Sequence, residues 1–145
     1  MNEVYLVFFN GDLCMLSYKN ISLKYKKLWL MIGFFMISFV VYSSLTSQPV
    51  TSDIEFSDKF FHIVGYFGLM GWFMQIYRDR KDCVVLAAGF IAMGIGLEFL
   101  QDIGGVRYFE INDMYANTFG VLLALSLFKT PFSAVLEGIE KLISR

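Results

Sequence analysis

Charge is the scarcest ingredient of this chain. Asp, Glu, Lys and Arg make up only 17% of its 145 residues, and there is a single histidine. A water-soluble domain of this length normally carries about a quarter charged residues to cover its core, so the deficit argues against water as the solvent. Cysteine is nearly absent. Cys14 and Cys83 lie far apart with no CxxC spacing, and no disulfide framework, zinc site or redox motif follows from them. The net charge of −1 lacks the basic excess that nucleic-acid binding requires, so no nucleic-acid partner is expected. The N-terminus has no early basic region and no small-x-small cleavage site, so no cleaved signal peptide is expected. No internal repeat or low-complexity segment is visible, and the length is that of one domain.

What is abundant is apolar. Hydrophobic residues reach 57% and aromatics 18%, and mean hydropathy is +0.57. Four apolar segments stand out, at residues 28–45, 60–77, 83–101 and 111–128. Each has roughly 18 residues, which at ~1.5 Å rise gives about 27 Å, enough for a thin bilayer core. Barrel strands need only ~10 residues of alternating polarity. These runs are longer and apolar at most positions, and helices satisfy their own backbones in lipid. The fold class expected is an all-α membrane protein, a four-transmembrane-helix bundle followed by an interfacial amphipathic helix.

Lys and Arg set the expected orientation. Lys19, Lys24, Lys26, Lys27, Arg78, Arg80, Lys81, Lys129, Lys141 and Arg145 fall on one side of the four segments, and only Lys59 and Arg107 on the other. Both termini are expected to be cytoplasmic, in a multi-pass protein of the cytoplasmic (inner) membrane. Residues 1–27 then form a cytoplasmic extension, in which Asn10-Gly11 is a hairpin signal. Residues 131–145 form the amphipathic helix. Phe132, Val135, Leu136, Ile139, Leu142 and Ile143 share its apolar face, and Glu137, Glu140 and Lys141 take the other.

Polar residues inside membrane helices are costly and mark candidate sites. The second segment opens with Asp58, Lys59, His62 and Tyr66. The third ends with Glu98 and Gln101, with Gly94 on the same face. The fourth opens with Asn112 and Asp113, followed by Asn117 and Gly120. Arg107 lies in the short loop between the last two segments. Topology puts all three clusters at the extracytoplasmic end, where Glu98, Asp113 and Arg107 can meet. Each residue also has a structural role open to it. Lys59 can snorkel to the interface, Asn112 can cap a helix, Asn117 and Gln101 can hydrogen-bond between helices, and the glycines can allow close packing. Ala88, Ala92 and Gly96 form a further stripe of small residues.

The pattern Asp58-Lys59-x-x-His62-x-x-x-Tyr66, Gly94-x-x-x-Glu98-x-x-Gln101, Arg107, Asp113-x-x-x-Asn117-x-x-Gly120 resembles the VanZ-like family of small polytopic membrane proteins, over residues 28–128. The family is named for a protein associated with resistance to the glycopeptide teicoplanin. The resemblance implies a four-helix domain acting at the cell envelope, extending to glycopeptide susceptibility.

The residues leave several functions open. An envelope lipid headgroup can bind or react at the cluster, with His62, Glu98 and Asp113 as candidate catalytic groups and Lys59 and Arg107 as phosphate contacts. A structural or accessory protein, held together by the same polar residues, is the alternative. A transporter fits less well, because its site normally lies at the midplane. One histidine with scattered carboxylates is no zinc signature, so neither metal nor cofactor is expected. The partners expected are membrane lipid and a homo-oligomeric copy or an envelope protein.

Overall fold

The computed structural model describes residues 23–46, 59–105 and 108–144, and residues 4–9, 12–17 and 55–58 as backbone. Helices dominate. They are α1 (Lys26–Ser44), α2 (Glu55–Ile76), α3 (Arg80–Ile103), α4 (Ile111–Ser126) and α5 (Val135–Ile143). Ahead of them, β1 (Val4–Phe9) and β2 (Asp12–Ser17) pair antiparallel, with Phe9 opposite Asp12. That register agrees with the hairpin signal at Asn10-Gly11; the turn itself and residues 18–22 lie outside the described residues.

Local chemistry explains most of the boundaries. Asp79 caps α3, its side chain accepting from the Lys81 amide at 2.8 Å, and Asp82 adds a negative charge to the first turn. The chain leaves α3 through Gly104 and Gly105. Gly105 has φ +62°, a left-handed turn conformation that glycine adopts without Cβ strain. The cap of α4 is Glu110, not Asn112, which sits exposed in the first turn. After α4, two short 3-10 turns, Leu127–Lys129 and Pro131–Ala134, swing the chain by 82° into α5. Pro131 starts the second turn, where its missing N–H costs nothing.

α2 is the centre of the molecule and touches each of the other α-helices. Its Tyr66, Leu69, Met70, Phe73 and Met74 form the core, joined by Cys83, Ala87 and Phe90 from α3 and Val121 and Ala124 from α4. α4 approaches α2 most closely. The reason is Gly120, where a Cβ would run into the Ile63 carbonyl oxygen and lie 3.1 Å from the Phe67 amide nitrogen. α1 is more peripheral. Gly33 lets the ring of Phe73 pack against it, while Met31, Phe35 and Tyr42 are about 70% exposed (69%, 72% and 71%).

A perimeter of bulky exposed apolar side chains is unsuited to water and compatible with a membrane protein. α1 and α3 are each long and apolar enough to cross a membrane, and α4 with its bent continuation adds a third span if the pair counts as one. α2 has the length, but it carries Lys59, His62 and Gln75 within it. The small-residue stripe of α3 does not pack inside the chain. Ala88 and Ala92 are exposed, and nothing lies near the open side of Gly96.

The amphipathic tail is a helix, but it lies on the bundle with its acidic side inward. Leu136, Glu137 and Glu140 are buried, while Val135, Ile139, Leu142 and Ile143 are exposed. Glu140 accepts from the amides of Lys24 and Tyr25 at 2.7 and 2.8 Å and from the Trp29 indole at 2.7 Å. Those amides open α1, whose own sequence supplies no capping side chain. A carboxylate from the far end of the chain therefore caps α1, where the helix dipole favours negative charge. Burial alone would raise the Glu140 carboxyl. The Tyr25 amide, the Trp29 indole and the amide and charge of Lys24 outweigh that and hold it below the ordinary carboxylate range. Beside it, Arg78 pairs with Glu137 at 3.0 Å, and Gln75 accepts from the Leu136 amide at 3.1 Å.

Candidate functional site

Three helices converge at the end of the bundle where α2 begins, α3 ends and α4 begins. On α2, Lys59, His62 and Tyr66 follow one another at spacings of three and four, which puts them on one face. That face meets Asp113 and Asn117 of α4, spaced by four. Lys59 Nζ lies 3.1 Å from Glu110 Oε2 and 3.8 Å from Asp113 Oδ1. His62 Nε2 lies 3.5 Å from Asp113 Oδ2, and His62 Nδ1 lies 3.0 Å from Asn117 Oδ1. The result is a polar chain from Glu110 through Lys59, Asp113 and His62 to Asn117.

Burial differs along this chain. The side chains of Glu110 and Lys59 are 50% and 30% exposed, while those of His62 and Asp113 are 10% and 6%. Lys59 and Glu110 therefore form the mouth, with the imidazole and the Asp113 carboxylate behind them. Asn117 and Tyr66 are buried further along α2 and α4. The Tyr66 hydroxyl is fully enclosed and has no hydrogen-bond partner among the described residues. Gly94 makes room for this inner group. A Cβ there would sit 3.1 Å from Asn117 Nδ2 and 3.2 Å from Tyr66 Cζ.

α3 contributes the second carboxylate. Glu98 is buried, and its Oε1 accepts from the Glu110 amide at 2.8 Å. This bond ties the end of α3 to the start of α4. Glu98 is also within electrostatic reach of Asp113, His62 and Glu110. Gln101 behaves differently. Its Nε2 donates to the Ser44 carbonyl at 2.7 Å, fastening α3 to the last turn of α1, a structural tie beside the cluster.

Of the residues singled out in the sequence, Lys59, His62, Tyr66, Glu98, Asp113 and Asn117 are brought together. The Asp58 side chain and Arg107 lie outside the described residues. Glu110 is the member that sequence reasoning missed. The signal was present, since it stands three residues before Asp113 at the start of a helix, but a charged loop residue is ordinarily solvated. The second polar group, Gln75, Arg78, Glu137 and Glu140 at the opposite end, was missed because α5 reads in sequence as a detached surface helix.

Chemically, the set offers an ammonium at the mouth, an imidazole between a carboxylate and an amide, and a buried carboxylate and phenol. If Nδ1 carries the hydrogen and donates to Asn117, Nε2 faces Asp113 and is placed to exchange a proton with it. Among the described residues no group of three or more His, Cys, Asp or Glu side chains is placed to hold a metal ion. In comparisons with family models, curated proteins and solved structures, nothing matched this chain.

Proposed function

We propose that this chain is a four-span protein of the cytoplasmic membrane, with both termini cytoplasmic, that resembles the VanZ-like family. In this reading it binds or processes the headgroup of an envelope lipid or lipid-linked precursor at the extracytoplasmic end of α2, α3 and α4. The observation that carries the reading is the graded chain Lys59–Asp113–His62–Asn117, open at one end and buried at the other. Buried ionisable groups in membrane helices are expensive and concentrate at functional sites. The Tyr66 hydroxyl, buried without a hydrogen-bond partner among the described residues, adds a polar group at the inner end. Lys59 at the mouth is suited to a phosphate, and the His62–Asp113 pair to general acid–base work.

Four spans are part of the proposal. α2 is long enough but carries polar residues, of which Lys59 and His62 are turned toward α4 and Gln75 toward α5. α4 is short, with 16 residues, but the 3-10 turn Leu127–Lys129 continues it to about the thickness of a thin bilayer core, which in this reading leaves α5, beyond the bend, at the membrane surface.

Native mass spectrometry of the purified protein tests the reading. A co-purified envelope lipid is expected, retained by wild type and lost in His62→Ala and Asp113→Asn. Equal retention in all three contradicts a site at this cluster. Where the host's glycopeptide susceptibility depends on the protein, the same variants are expected to change it.

A second reading has its own support. His62–Asn117, Glu98–Glu110 and Gln101–Ser44 are all cross-links between segments, as in a bundle fastened by polar residues alone. That reading predicts loss of function only in proportion to loss of thermal stability in detergent. Loss of function in Asp113→Asn at unchanged melting temperature counts against it.

A further inference from the structure

α5 is amphipathic in the opposite sense from a helix bathed in water. A surface helix ordinarily docks its apolar stripe and shows its charges to solvent. Here Glu137 and Glu140 are 5% and 7% exposed, while Val135, Leu142 and Ile143 are 46%, 64% and 63% exposed. With Ile139, these three occupy positions i, i+4, i+7 and i+8, a single stripe. The stripe is fixed outward because the inward face is fully engaged. Glu140 holds the start of α1 through three donors, Glu137 holds Arg78, and the Leu136 amide holds Gln75. Turning the helix to hide the stripe would break all of these bonds.

The ground around the stripe is cationic. Lys24, Lys26 and Lys27 are exposed at the start of α1, and Arg80 and Lys81 at the start of α3. Lys129 is exposed just before the bend, and Lys141 on α5 itself, 61% exposed, pairs with Glu137. Among the described residues, the exposed carboxylates at this end are Asp79 and Asp82; Glu137 and Glu140 are already engaged. Near the start of α1, which Glu140 caps, Leu28 and Met31 are also 49% and 69% exposed.

We infer that α5 and its surrounding lysines and arginines form a docking surface for anionic phospholipid, at the end of the bundle opposite the polar site. The stripe enters the boundary between headgroups and acyl chains, and the cations pair with headgroup phosphates. Inverted polarity supplies the apolar half of the argument and the excess of exposed cations the electrostatic half. The inference rests on the membrane reading above, but not on the headgroup site at the other end.

The test uses the full chain in nanodiscs, with Cys14→Ser and Cys83→Ala as background. A nitroxide is attached at Leu142→Cys or, as reference, at Met31→Cys on α1. Accessibility to oxygen and to a water-soluble nickel chelate is measured in phosphatidylcholine alone and with phosphatidylglycerol added. Oxygen is expected to dominate at both labels, with the Leu142 label moving deeper when phosphatidylglycerol is present. Chelate dominating at Leu142 alone overturns the inference and leaves the membrane reading standing. Chelate dominating at both labels overturns the membrane reading as well. An immobilised Leu142 label reached by neither reagent overturns the inference in favour of a protein partner or a second copy. In native mass spectra, unmodified protein is expected to retain phosphatidylglycerol over phosphatidylcholine. Lys27→Gln and Lys81→Gln should each reduce that preference by roughly fivefold. No preference in the unmodified protein overturns the anionic assignment.

Discussion

Glu140 shows how much one side chain can organise. It satisfies two backbone amides that begin α1 and an indole, from 111 to 116 residues away in the chain. Glu140→Gln keeps one acceptor and loses the charge, which should cost about 1–3 kcal/mol, read as a lower melting temperature in detergent. The pH dependence follows from the lowered carboxyl. A carboxylate held below its ordinary value stabilises the fold above the ordinary Glu value of about 4.3, and that contribution is lost as pH falls through the lowered value. The Trp29 environment should therefore hold steady from neutral pH to about 4.3 and change only below it. A change centred near neutrality contradicts this assignment. The glycines make a graded set. Gly120→Ala drives a methyl group into the Ile63 carbonyl, which is backbone, and should destabilise by about 1–3 kcal/mol. Gly33→Ala meets the ring end of Phe73, which can move, so its cost should be smaller. Gly96→Ala meets nothing and should stabilise by about 0.5–1 kcal/mol through helix propensity. Thermal unfolding of the three variants side by side checks the order. None of these partners is visible in sequence, because Gly120, Gly33 and Gly96 look alike until their neighbours are known.

Among the elements, the contrast is between α2 and α5. The polar face of α2 was legible, since Lys59, His62 and Tyr66 keep helical spacing and need no partner to be recognised. Helix direction put Asp113 and Asn117 at the same end, and the short connection between α3 and α4 placed Asp113 near Glu98, but that both face Lys59 and His62 on α2 was not legible. What could not be read was pairing in detail. Gln101 shares a face with Glu98 yet reaches Ser44, and Glu110 joins the mouth from just outside its helix. α5 was legible as amphipathic but not in which side it turns to the bundle. Periodicity identifies two faces, and only the waiting amides at the start of α1 and the buried guanidinium of Arg78 decide between them. Removal of residues 131–145 should accordingly do more than trim a tail. It leaves Arg78 without its carboxylate and α1 without its cap. The loss expected is about 3–5 kcal/mol for the broken, largely buried ion pair alone, whereas Leu142→Ser in detergent should be near neutral. Similar melting temperatures for the two variants would contradict the clasp.

For the molecule as a whole, the apolar composition pointed to lipid, and the exposed aromatic perimeter of α1 is compatible with it. Segment lengths located all four long helices within a few residues, apart from α2, whose first turn begins earlier at Glu55. The number of spans is less plain than the number of helices. α2 buries polar residues against its neighbours, and α4 by itself is short, so apolar length alone marks two or three crossings. The central claim is that four crossings place the His62–Asp113 site on the outer side and α5 on the inner side. Single-cysteine labelling tests it most directly. Tyr108→Cys lies 93% exposed beside the site mouth, and Arg80→Cys lies exposed at the opposite end. Each is made in a background lacking Cys14 and Cys83 and treated in intact cells with a membrane-impermeant maleimide. Labelling of Tyr108→Cys at once, and of Arg80→Cys only after permeabilisation, is the result expected. Labelling of both from the same side would contradict the four-span arrangement, and reversed labelling would contradict its orientation.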